Sequence, residues 1–269
     1  MTQRNLSDIT DKSEKLRQSV MQIAYGSEAD QDHTMRYAIY FTPGPDDALT
    51  RVAANWLGRD PFTGATSAAP ATSQLTATEI AFHTASARRY GFHATLKAPF
   101  RLAEGESEAS LDQALAAYAT SIEPVLIPSL VIGQIDRFFA LVPGEKSAEL
   151  NSFAADVVEK FDRFRAPLTD AEIERRNPDA LSQAEFRNLC QWGYPYVFDT
   201  FRFHMTLTGR VSAEESPKLR ATIEDLFGDT VASPFAVDGL ALFVEREPGA
   251  PFMVHSYHAL GQRRERKTA

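Results

Sequence analysis

The sequence predicts an α+β fold of two pseudosymmetric lobes, each a mainly antiparallel sheet with helices on one face, with a central cleft. Three observations carry this expectation. An order of strand, helix, motif strand, helix, strand runs twice along the chain. The motif strands alternate apolar and polar residues, as half-buried strands do. The tetrapeptides His93-Ala94-Thr95-Leu96 and His204-Met205-Thr206-Leu207 hold matching places in the two runs.

Taken in order, residues 1–34 read as a polar N-terminal extension with one weak helical stripe at Leu16, Val20, Ile23 and Ala24. Arg36 to Phe41 has strand composition, and Thr42-Pro43-Gly44-Pro45 ends it with turn residues. Asp46 or Asp47 can cap a helix carrying Leu49, Val52, Ala53, Trp56 and Leu57 at helical spacing. An Ala/Thr/Ser/Pro-rich loop is expected over 60–78, a strand over 91–99, and a helix opened by Ser107. Apolar segments at 125–132 and 137–142 follow, the second of them leading into a helix with Leu150, Phe153, Val157 and Phe161 on one stripe. The charged stretch 169–190 reads as an inserted helical segment. A strand is expected over about 199–209, a helix capped by Ser212, and strands near 235–245 and 252–260. The bilobal domain thus spans 35–262, with lobe one about 35–135 and lobe two about 136–262. Residues 263–269 form a basic tail.

With 269 residues, 43% of them hydrophobic, the chain can bury a core without staples. Its net charge of −8 disfavours long contacts with nucleic acid, which need a basic stripe, yet permits a local basic pocket. The single cysteine, Cys190, rules out an intramolecular disulfide and a multi-cysteine zinc site. It is expected as a buried small hydrophobe in a helix. No apolar run approaches a membrane span and no signal-peptide core is present, so the cytoplasm is the default compartment. A Gly-rich P-loop is lacking, which argues against a nucleoside-triphosphate motor or kinase.

Alternation places Gly91, His93, Thr95 and Lys97 on one face of the first motif strand, with Phe92, Ala94, Leu96 and Ala98 behind. The second strand sets Arg202, His204, Thr206 and Thr208 against Phe201, Phe203, Met205 and Leu207. Two His-x-Thr-Leu matches among six histidines would arise by chance roughly less than once in a thousand sequences. Two such polar rows suggest two walls of one cleft. His255 and His258, three apart on a strand, are expected on opposite faces, and His33 and His83 on the surface. Tyr37 and Tyr40 read as packing residues.

These motifs resemble the 2H phosphoesterase superfamily, named for two His-x-Thr/Ser-x motifs on pseudosymmetric lobes. The strings Arg89 to Phe100, Trp192 to Tyr196 and Phe203 to Gly209, together with Met35 to Pro43, resemble the branch associated with bacterial phosphonate-utilisation genes. The resemblance covers about residues 35–260. It implies cleavage or hydrolysis of a phosphodiester, often a cyclic one.

The residue types suit that chemistry. Splitting a phosphodiester needs a base for the attacking oxygen and an acid for the leaving oxygen. Imidazole, with a pKa of about 6.5, can serve as either. His93 and His204 are the expected acid–base pair, in an order the sequence leaves open, with Thr95 and Thr206 donating to phosphoryl oxygens. Lys97, Arg202 and Tyr90 are the expected substrate contacts. Neither a metal nor a cofactor is expected, and the partner is a small phosphorylated substrate rather than a membrane, a nucleic acid or an obligate protein. Two alternatives stand beside this reading. One is a 2′,3′-cyclic phosphodiesterase acting on RNA ends. The other is a non-catalytic module binding a phosphate or phosphonate ligand.

Overall fold

A computed structural model describes residues 35–231 and 234–261. The expected N-terminal extension with His33, and the basic tail from 263, lie outside the described residues. Within them the chain is α+β, built on an antiparallel sheet with helices packed against it.

Strand β1 (Arg36–Phe41) lies near the middle of the sheet and is buried on both faces. Its alternation separates two environments. Tyr37, Ile39 and Phe41 enter the main core beneath the helices, whereas Ala38 and Tyr40 join a smaller apolar cluster with Ala241, Phe243 and Phe252 on the other face. Helix α1 (Ala48–Leu57) begins where the Asp47 side chain accepts from Leu49 N at 2.7 Å, and ends at Gly58, whose φ of 75° suits a residue without a Cβ. Helix α2 (Ala77–Tyr90) opens with a capping box between Thr76 and Glu79. Gly91 then turns the chain into strand β2 (Ala94–Phe100) at φ 77°, where a Cβ would come within 2.7 Å of Pro61.

Helix α3 (Glu108–Ser121), strands β3 (Val125–Ile127), β4 (Leu130–Ile135) and β5 (Phe138–Pro143), and helix α4 (Ala148–Lys160) follow. Two short helices, α5 (Asp170–Glu174) and α6 (Gln183–Trp192), make up the charged insert. Strand β6 (Met205–Thr206), helix α7 (Ser216–Val231) and strands β7 (Phe235–Val237), β8 (Gly239–Glu245) and β9 (Met253–Ala259) close the fold.

Seven strands make one sheet in the order β4-β5-β6-β2-β1-β8-β9, and β3 pairs with β7 separately. The two strand groups are therefore joined edge to edge. β8 and β9, late in the chain, extend the group that contains β1 and β2. The motif strands become neighbours at the sheet's centre instead of standing as separate walls.

Several expectations are corrected. Residues 77–90, where no helix is expected, form α2. His83 is buried in it, with Nε2 3.4 Å from Glu215 Oε1. Cys190 is helical but exposed, because α6 buries Leu189 and the next residue is rotated by about 100° around the axis. The second motif strand has two residues rather than eleven. Beyond it, Leu207 N and Thr208 N both donate to Phe139 O, while Leu207 O accepts from Trp56 Nε1 at 2.8 Å, so the ladder ends there. A register irregularity in β9 brings His255 and His258 toward the same helix. His258 Nε2 lies 2.8 Å from Asp112 and His255 Nε2 3.6 Å from Glu108, both on α3. No helix among the described residues is long and apolar enough to cross a membrane.

Candidate active site

Ala94 of β2 faces Met205 of β6. Carrying that antiparallel register one residue either way sets His93 opposite Thr206 and Thr95 opposite His204. Directly opposed side chains lie about 4.5–5.5 Å apart at Cβ. Imidazole and hydroxyl thus alternate around the four corners of a square. Phe92, Ala94, Phe203 and Met205 are buried behind it in the main core, which is why the motif residues turn outward.

The two imidazoles are held in the same way. His93 Nδ1 lies 2.9 Å from Gly91 O, and His204 Nδ1 lies 2.7 Å from Arg202 O, each the carbonyl two residues back. A carbonyl only accepts, so each Nδ1 carries the proton and each Nε2 is left for chemistry. His93 Nε2 stands 3.2 Å from Thr95 Oγ1. Tyr40 forms the floor under His93, with ring centroids 3.8 Å apart and an interplanar angle of 18°. Burial pushes the His93 imidazole down to about 4; the Gly91 carbonyl opposes this and the positive form of His204 adds to it. Burial lowers His204 as well, opposed by the Arg202 carbonyl and assisted by the Arg202 charge. Burial thus favours the neutral form of both rings.

A cavity of about 610 Å³ opens beside the square on its Thr95–His204 edge, lined also by Phe138, Tyr194, Tyr196 and Arg202 among others; His93 and Thr206 do not line it. Arg202 is exposed at its mouth. Tyr90 sits beside the square with its ring 6.3 Å from His93, stacked on Phe252 at 5.3 Å. Thr206 reaches the site through the register alone.

Lys97 does not belong to the site. The β1–β2 pairing shifts between Tyr40↔Thr95 and Ile39↔Lys97, so Leu96 is an extra residue and the alternation reverses after it. The ammonium is 3% exposed and turns to the helical face, donating to Val158 O at 3.2 Å and Asp162 Oδ1 at 2.9 Å. Lys97→Met is accordingly expected to leave kcat/KM within about threefold of wild type, since Asp162 keeps Arg165 as its partner. A loss above about a hundredfold in a folded protein would return Lys97 to the site. Thr208 is likewise diverted, accepting from Phe139 N at 2.9 Å.

Tyr40, Tyr194 and Tyr196 were not identified as site residues from sequence. Tyr40 shares alternation with Ala38 on a strand that looks like ordinary core. The two loop tyrosines lie in the aromatic string Trp192 to Tyr196, which carried a resemblance but no assigned role. Among the described residues, no three His, Cys, Asp or Glu side chains converge as a metal site.

The chain is 36% identical over 222 residues to the "Ribose 1,5-bisphosphate phosphokinase PhnN" of Janthinobacterium sp. (strain Marseille), covering 81% of this chain and 49% of that protein. It is 36% identical over 218 residues to the protein of the same name from Laribacter hongkongensis (strain HLHK9), covering 81% and 50%. The chain thus spans about half the length of these curated relatives. Among solved structures it is similar to E. coli LigT complexed with 3′-AMP, at 12% identity and a TM-score of 0.40, covering 85% of this chain and 99% of that one. It is also similar to a structure described as a phosphoesterase, at 13% identity and a TM-score of 0.38, with the same coverage. The family model described as "Protein of unknown function (DUF1045)" matches residues 95–253, more than half of the sequence, and the chain belongs to that family.

Proposed function

We propose that the chain is a phosphoesterase that hydrolyses a cyclic or diester phosphate of a small metabolite by two-histidine acid–base catalysis, without a metal. The observation that carries this reading is the square of His93, Thr95, His204 and Thr206, in which both imidazoles are anchored at Nδ1 and present Nε2. A phosphate over the square would meet a ring on either side and a hydroxyl beside each ring.

In this mechanism His93 Nε2 takes a proton from water as the water oxygen attacks phosphorus. The bond from phosphorus to the leaving oxygen breaks, and His204, in its imidazolium form with Nδ1–H still on the Arg202 carbonyl, gives that oxygen its Nε2 proton. Solvent then returns both rings to their starting states. His93 is assigned the base because its deeper shielding favours the neutral form. Thr95 and Thr206 donate to the non-bridging oxygens, and Arg202 adds charge at the mouth.

The substrate class is a phosphorylated sugar or nucleotide fragment. The names of the curated relatives, which refer to a ribose bisphosphate, support a ribosyl phosphate, and the motif resemblance supports a link to phosphonate metabolism. Their kinase activity is not carried over, since the chain corresponds to half their length.

Assay against 2′,3′-cyclic nucleotides and ribosyl cyclic phosphates tests the proposal, and turnover is expected to persist in EDTA. The free-enzyme pH profile has a definite sign. The base must be neutral, so kcat/KM rises as pH climbs through about 4. The acid must be protonated, so kcat/KM falls as pH passes the His204 value, which lies below its ordinary 6.5. The expected bell lies on the acid side of that value. A maximum above pH 7, or activity lost in EDTA and restored by a divalent metal, would refute the mechanism.

A further inference from the structure

Beside the histidine cavity lies a second one of about 460 Å³, lined by Arg36, Arg89, Tyr90, Arg101, Arg175 and Arg176 among others. Five guanidiniums there face two carboxylates. Glu245 is consumed by Arg36 and Arg89, and Glu172 by Arg101 at 2.9 Å. Arg175 and Arg176 form no ion pair with a described residue; Arg175 Nε is turned to its own helix at Ala171 O. Both are exposed. In a chain of net charge −8 this is a local reversal of sign. Five guanidiniums against two carboxylates leave an excess of positive charge, which costs free energy unless a further anion offsets it.

The two cavities share a wall. Arg176 lies over the Tyr194 ring, 5.1 Å from its centroid. Tyr194 lines the histidine cavity, while its neighbour Gly193 lines the arginine one. Tyr90 lines the arginine cavity with its ring 6.3 Å from His93. The two chambers thus adjoin through Tyr90, Gly193 and Tyr194.

We propose that the arginine cavity is a subsite for a second, terminal phosphate monoester of the same substrate whose diester phosphate lies between the histidines. This rests on the function proposed above and specifies its substrate class. Guanidiniums match phosphate oxygens in bidentate pairs, and a dianion with three terminal oxygens employs several of them, which a carboxylate does not. A nucleic-acid backbone would need a basic track leading away from the site rather than one localised cluster.

The test compares ribose 2,3-cyclic phosphate with and without a 5-phosphate. For the full-length chain, kcat/KM is expected to favour the 5-phosphorylated probe by about 10–100-fold, from charge-assisted hydrogen bonds. The exposed double substitution Arg175→Ala/Arg176→Ala is expected to cut that preference at least about tenfold, chiefly through KM. Equal kcat/KM for the two probes, or a preference the double variant retains, overturns the subsite. Calorimetry on a His93→Ala/His204→Ala variant separates this proposal from the reaction itself. Tighter binding of the 5-phosphorylated probe, abolished by adding the arginine substitutions, supports the subsite even if wild type turns over neither probe, an outcome that refutes the hydrolytic reading alone. Turnover of both probes with no difference in binding refutes the subsite alone.

Discussion

His93→Ala and His204→Ala are each expected to lower kcat by about 10²–10⁴-fold on an unactivated phosphodiester, the contribution of a positioned acid or base. The double variant is expected to fall well short of the product of the two losses, because residues that act as a unit are not additive. An activated ester separates the roles. With a 4-nitrophenolate leaving group the departing oxygen needs no proton, so His204→Ala recovers most of its rate while His93→Ala does not. His93 also rests on Tyr40, so its removal opens a small gap. His93→Asn, which keeps much of the shape, separates lost packing from lost catalysis, and thermal unfolding confirms that each variant is folded. A folded alanine variant within about tenfold of wild type would exclude that histidine from the chemistry.

The largest stability effect is expected at Glu245. This carboxylate at the end of β8 is fully buried; it accepts from Arg36 Nε at 2.5 Å, from Arg89 Nη2, and from Gly249 N at 3.1 Å. Burial alone would raise it, but the two guanidiniums hold it below the usual carboxylate range. Glu245→Ala leaves both cations facing each other. Breaking a buried pair in this way costs about 3–5 kcal/mol, and the partial exposure of the arginines moves the expectation toward the lower end. For a chain of this size that lowers Tm by on the order of 10 °C, measured by circular dichroism. A shift under about 2 °C would show that solvent satisfies the arginines without Glu245.

Legibility from sequence followed the range of the interactions. The Asp47 cap and the apolar stripe of α4 depend on residues within one or two turns, and they appear where the spacing put them. The motif rows were readable because alternation is local. Lys97 was misplaced because the extra residue at Leu96 is defined by the register against β1, some sixty residues earlier. Helix α2 was hidden by its shallow apolar stripe, which mixes Ile80 and Ala87 with buried His83 and Thr84. Its Thr76–Glu79 capping box was nonetheless present in the sequence. The contraction of β6 could not be read, since Trp56 and Phe139 divert its hydrogen bonds from distant positions. The arginines of the second cavity come from four stretches of chain that converge only on folding.

The meeting of β2 and β6 at one residue pair has a consequence for how the spacing of the two imidazoles is set. That spacing is inherited from the pitch between adjacent strands, a dimension of the backbone, and swivelling of side chains adjusts it little. Sliding one strand past the other by a single residue would turn one histidine and its threonine inward together. The Trp56 indole on Leu207 O and the Thr208 hydroxyl on Phe139 N oppose that slide, so two residues outside the square hold the separation of its two imidazoles.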